Sequence, residues 1–205
     1  MPAGSIEQRR RAFADSKIAL GTDEIRRRLA RDIRLTDLGA SLMTRLSGGR
    51  RATSICEIHV TGGNAADFVA WFDDTARADY AYSMLAANPD HFLIQADPSG
   101  RLEVIETTGG MPAATRFFVD YQDTSTLTTA DDPTLPVKAA GVAISGAGKV
   151  IGGIRHQFRD EPGGFYARLC VEFPRVTPPS AIAAHRWHLA CEFSNWIAFG
   201  LDAVG

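Results

Sequence analysis

After Pro178-Pro179 the chain runs from Ser180 to Phe199 without a glycine or proline, its apolar residues at helical spacing and Ser180 suited to the N-cap. What precedes this helix is mostly extended. Thr53 to Val60 is β-branched and alternating, and His91–Ala96, Arg101–Thr107, Arg116–Tyr121, Gly141–Ser145, Val150–Asp160 and Phe165–Phe173 also read as strands. The turns Asp97-Pro-Ser-Gly100 and Glu161-Pro-Gly-Gly164 join hairpins within that series. Two short helical patterns lie between Asn64 and Leu85 and stop at Asn88-Pro89-Asp90. A meander of strands closed by one long helix has few ways to fold. The sheet must cover an apolar face, and one helix cannot fill the trough of a curved sheet. The space left beside the helix is a natural small-molecule site.

Residues 51–205 therefore read as an α+β domain with an internal cavity, in the order of the helix-grip (Bet v 1-like, START-like) architecture: a curved antiparallel sheet wrapped around a long C-terminal helix. Residues 1–50 read as a basic helical extension. Residues 1–51 carry 12 Lys or Arg against 6 Asp or Glu, although the whole chain has a net charge of −2. Thr22–Ile33 looks like an amphipathic helix, its charged face solvated or docked on the acidic remainder. No nucleic-acid fold signature accompanies the arginines, so no nucleic-acid partner is expected. The apolar runs are too short to cross a bilayer and no membrane partner is expected. Met1-Pro-Ala-Gly-Ser lacks a secretory start, and Cys56, Cys170 and Cys191 read as reduced thiols, which together point to the cytoplasm. A homo-oligomer is compatible with all of this.

The chemistry-bearing residues lie in separate segments. His188 and Glu192 are four apart and share one helical face, a half-site for a divalent metal. His185 is on roughly the same stripe and could replace His188. His91 and Asp120 sit near strand ends that the covering helix would approach. The set His91, Asp120, His188 and Glu192 is an N/O donor set suited to zinc, with iron or manganese as alternatives. His156 shares parity with Ile154 and Phe158, so it should face inward as a catalytic base or a satisfied core residue. His59 alternates with Glu57 on its strand and reads as a surface residue.

Several of these segments resemble the diacetylphloroglucinol hydrolase and phloretin hydrolase family, zinc enzymes of Bet v 1-like fold. His188-Leu-Ala-Cys-Glu192-Phe-Ser-Asn is similar to the family's helix with two metal ligands. Asn88-Pro89-Asp90-His91 resembles the stretch giving another histidine, and Phe118-Val119-Asp120-Tyr121 the strand with the last acidic ligand, aspartate standing for glutamate. His156-Gln-Phe-Arg-Asp-Glu-Pro-Gly-Gly-Phe-Tyr-Ala-Arg168 is similar to the hairpin before the last helix. The resemblance implies a zinc-dependent hydrolase that cleaves the carbon–carbon bond between a phenolic ring and an acyl group of an aromatic ketone. It also implies a substrate-contacting tyrosine near Tyr82, with Tyr82 or His156 managing protons. A pocket lined by Tyr82, His156, Trp187 or Trp196 and Phe117 or Phe118 is expected. A metal-free polyketide cyclase or aromatase, or a carrier of a hydrophobic ligand, is the other reading of the same fold.

Overall fold

The structure is a computed structural model that describes residues 5–204. Met1 to Gly4, on which the reading of no secretory start largely rests, lie outside the described residues, as does Gly205. Seven strands, β1 (Arg51–Thr61), β2 (His91–Ala96), β3 (Leu102–Glu106), β4 (Thr115–Asp120), β5 (Val137–Ser145), β6 (Val150–Glu161) and β7 (Gly164–Pro174), make one curved antiparallel sheet. Its order is β1-β7-β6-β5-β4-β3-β2, so the meander runs in sequence and β1 adds at the far edge beside β7. Among the described residues five α-helices accompany it: α1 (Ile6–Leu20), α2 (Thr22–Ser47), α3 (Ala65–Asp73), α4 (Tyr80–Ala87) and α5 (Pro179–Val204).

Helix boundaries follow local chemistry. Ser5 and Gln8 form a reciprocal capping box on α1, the Asn64 side chain accepts the Asp67 amide at the start of α3, and Gly48 ends α2 in the left-handed region. Helix α5 starts one residue earlier than the sequence suggests. The Pro178 carbonyl accepts the Ile182 amide at 3.2 Å, and Pro179 takes the first helical position, where its missing N–H costs nothing. Ser180 is thus inside the helix.

Strand alternation sorts the side chains into two cores. Ile94, Leu102, Val104, Val119, Phe158 and Leu169 face inward, against Leu189, Phe193 and Trp196 of α5 and Phe68 and Phe72 of α3. On the other face of β2 and β3, Leu93 and Ile105 meet Ile25 of α2 together with Ala114. There Glu103, almost fully buried, accepts from Arg26 of α2 at 2.5 and 3.1 Å and from Arg116 at 2.7 Å. A buried carboxylate held by two guanidiniums fixes the position of α2, because removing either partner leaves charge stranded. Helix α1 packs Ala14 on Leu85 and Ala86 of α4, and its Lys17 ammonium donates to the carbonyls of Pro89, at 2.6 Å, and His91. Residues 5–50 are therefore docked along the domain rather than extending from it.

Candidate metal centre

The hairpin β2–β3 places the first two polar groups. Ile94 of β2 faces the inner core and Leu93 the outer one, so strict alternation would send His91 outward with Leu93. A bulge between His91 and Leu93 absorbs Phe92, which packs on the outer cluster, and His91 turns inward. Its cross-strand partner is Glu106, which has the inward parity of Val104 and Leu102. Over this hairpin end lies α5, whose one-turn spacing delivers His188 and Glu192 to the same point. The short turn Thr108–Gly110 holds helix and hairpin together. Gly109 has φ 57°, and a Cβ there would lie 2.7 Å from the His185 amide nitrogen, so only glycine fits.

One donor atom from each of His91, Glu106, His188 and Glu192 lies within 4.8 Å of the others, and all four residues are buried. His91 Nδ1 is 2.9 Å from the Met84 carbonyl and donates its proton there. Its Nε2 faces Glu192 Oε2 at 2.9 Å, with Glu106 Oε2 at 3.8 Å. His188 Nδ1 is 3.3 Å from the Asn88 amide and 3.5 Å from an Asp90 carboxylate oxygen. Its Nε2 is buried without a hydrogen-bond partner, 3.3 Å from Glu192 Oε2 and 3.7 Å from Glu106 Oε2. Imidazole nitrogens facing carboxylate oxygens in a dry interior call for a proton or a cation between them.

The electrostatics express that demand. Burial by itself would push the His188 imidazole down, yet Glu192 and Glu106 outweigh burial and hold it raised. Burial would likewise lift both carboxyls, but His188 holds Glu192 and Glu106 below the usual carboxylate range. The donor set of two imidazoles and two carboxylates fits a borderline dication of the zinc type. The ring nitrogens turned away from the cluster are held by the Met84 carbonyl for His91 and by Asn88 and Asp90 for His188, the arrangement that supports histidine ligands. These four residues could hold a metal.

Beside the cluster, a cavity of about 430 Å³ lies between α5 and the sheet. Glu106 and Glu192 are on its wall with His156, His185 and Tyr121, and its remaining lining is mostly apolar. His156 Nδ1 accepts the Cys170 amide at 3.2 Å, where the β6–β7 ladder opens between Ile154 and Gln157. Its proton therefore sits on Nε2, and burial lowers its pKa to about 4, so it is a neutral donor rather than a base. His185 Nδ1 is 3.0 Å from Ser54 Oγ, and burial takes its pKa to about 4 as well. The Tyr121 phenol is held well above its ordinary range by burial.

The structure brings together His91, His188 and Glu192 and leaves out the other expected ligand. Asp120 shares the outward parity of Phe118 and Arg116, and its carboxylate accepts the Gln122 amide at 2.9 Å. Glu106 stands in its place. His185, one turn before His188, is on the cavity wall and outside the cluster. Tyr82 is not in the cavity: it packs with Leu85 and Ala86 of α4 near Ala14 of α1, while Tyr121 supplies a phenol to the wall. Of the other expected lining residues, His156, Phe117 and Trp196 are present. Trp187 is 79% exposed, and Phe118 lies on the outer face beneath Arg101 and Arg116. His59 is exposed and bonded to Glu161 at 2.8 Å. The chain matches no family model and no curated protein sequence.

Proposed function

We propose that the chain is a metal-dependent hydrolase of helix-grip fold that separates an acyl group from a phenolic ring. The ion, Zn²⁺ or a similar dication, would be held by His91, Glu106, His188 and Glu192. The observation that carries this reading is the buried convergence of two imidazole nitrogens and two carboxylates at the wall of a largely apolar cavity. The resemblance of the segments that carry His91, His188 and Glu192 to acylphloroglucinol and phloretin hydrolases supplies the bond that is cut. When bound, the cation would supply a Lewis acid for a carbonyl oxygen.

The chain's own groups do the rest. Apolar walls take the ring and the acyl arm and exclude bulk water. His156 Nε2–H and the protonated Tyr121 phenol are donors for substrate oxygens, and a hydroxyl ortho to the acyl group is the substrate feature that uses them. Hydrolysis adds water's hydroxyl to the acyl carbon and its proton to the ring carbon, giving a carboxylic acid and a deacylated phenol. The ring leaves as a carbanion equivalent, which requires ring hydroxyls to delocalise its charge. Donors on those oxygens stabilise that charge as it develops.

The test is elemental analysis of the purified chain together with acid release from acylphloroglucinols and dihydrochalcones, with and without chelator. About one ion per chain, and turnover lost both on chelation and in Glu192→Gln, are expected. Turnover that survives both would refute the metal reading. A folded protein that takes up no dication would leave the metal-free cyclase or carrier.

A further inference from the structure

Among the described residues, most of the large apolar side chains left exposed lie on α1, on α2 or near the cavity mouth. On α2, Leu35, Leu38, Leu42 and Leu46 are 57–71% exposed, and their spacing of three and four residues puts them on one stripe. Leu35 and the exposed Met111 also belong to the cavity wall, so the stripe runs into the mouth of the cavity. Val176, whose amide donates to Ser47 Oγ at 3.2 Å, extends it past the end of the helix.

The charges around the stripe have one sign. Arg31, Arg34 and Arg45 are exposed on the same stretch of helix, and Arg50 and Arg175, joined by a backbone bond of 3.0 Å, are exposed beyond its end. The acids of this stretch are turned away. Asp32 accepts the Ala114 amide at 3.4 Å, and Asp37 lies against Gly146, where a Cβ would be 2.9 Å from its Oδ2. A leucine stripe rimmed by arginines thus stands on a chain whose net charge is −2.

We infer that this face docks on an anionic lipid surface, with the leucines sunk into the headgroup boundary and the arginines on lipid phosphates. A second copy fits it less well. Antiparallel pairing about the middle of the stripe sets Arg45 beside the partner's Arg34, parallel pairing sets Arg34 on the partner's Arg34, and no exposed acid offsets either. The sequence expectation of no membrane partner rested on apolar runs too short to cross a bilayer, and a helix lying in the interface needs no such run. Docked this way, the cavity mouth opens onto lipid and admits molecules dissolved there, whether or not a metal is held inside.

The test is flotation of the full chain with phosphatidylcholine vesicles, with and without phosphatidylglycerol, at low and high salt. Binding only to the anionic vesicles, released by salt, is expected. Replacing Arg31, Arg34 and Arg45 by glutamine should lower the partition by about two orders of magnitude, roughly a factor of five for each basic residue. Leu38→Ser with Leu42→Ser should abolish binding with the melting temperature unchanged, since both side chains are exposed. Equal binding to neutral vesicles, or none to anionic ones, would overturn the inference. So would a stable dimer in solution that the leucine variant converts to monomer.

Discussion

Glu106 is where the proposed metal centre can be tested most sharply. Glu106→Gln keeps the volume and can still accept from the Thr108 hydroxyl, now 3.1 Å from Glu106 Oε1, but removes one charge. In the metal-free protein two opposed contributions vanish together. Repulsion between carboxylates at most 4.8 Å apart is worth at least about 3.5 kcal/mol at an effective dielectric near 20. Attraction to His188 at 3.7 Å is of similar size. The melting temperature of the chelated variant should therefore move little. Zinc is different. At a free concentration of about 100 times Kd it stabilises the native state by about 2.7 kcal/mol, or about 5–11 °C for a domain of this size. Loss of a neighbour that only orients a ligand weakens binding by about 10–100-fold, and loss of a ligand should reach at least the upper figure. At the same zinc concentration the variant would then gain only about 0.4 kcal/mol, close to 1 °C. Thermal melts of chelated and zinc-loaded protein measure both quantities, with Asp120→Asn as the control expected to keep the full gain. An undiminished zinc shift in Glu106→Gln, or its loss in Asp120→Asn, would refute the assignment.

Asp90→Asn leaves the four donors in place but weakens the group orienting His188, so zinc affinity should fall about 10–100-fold while the metal-free melt is preserved; a competition titration measures this. In chelated protein, His188 held above its ordinary 6.5 stabilises the fold fully below that pH and progressively less above it. Glu192 and Glu106, held below 4.5, stabilise above that value and lose the effect as pH falls through it. His156 and His185, drawn down to about 4 by burial, weaken the fold as pH falls below 6.5. Chelated melts should therefore be highest near pH 6.5 and decline on both sides, while the zinc shift grows above pH 6.5 as protons stop competing; melts at graded pH that rise steadily from 6.5 to 8 without metal would contradict this. Gly109→Ala forces a side chain into the His185 backbone at positive φ and should cost about 1–3 kcal/mol by denaturant titration, loosening α5 over the hairpin.

The sheet and the last helix were legible because their periodicities are clean. The site was legible only where a residue sits on a regular element. His188 and Glu192 needed nothing beyond helical spacing, and His156 needed only the parity of Ile154 and Phe158. The same parity argument, applied to Asp120 against Phe118 and Arg116, sends it outward. Glu106 could have been found by counting back from the turn at Asp97–Gly100, which brings the end of β3 to within one residue of His91. The remaining residue is the bulge at Phe92, and no local propensity announces it. Tyr82 was misplaced for a related reason. On a helix as short as α4 either face can be the buried one, and the choice depends on α1, whose position the sequence does not specify.

Lys17 changes what the N-terminal helices are for. Its ammonium, drawn down to about pKa 8 by burial, is bonded to the carbonyls on either side of Asp90, so the strand end that carries His91 is clasped by α1 from behind. Opening that strand end costs those bonds as well as its pairing with β3. Fraying of α1 and release of His91 are then one local unfolding event, and amide exchange at Asp90 and His91 should report on the first helix as much as on the sheet. A chain trimmed to the sheet and the last helix would keep all four donor residues and lose the backing that keeps one of them aimed.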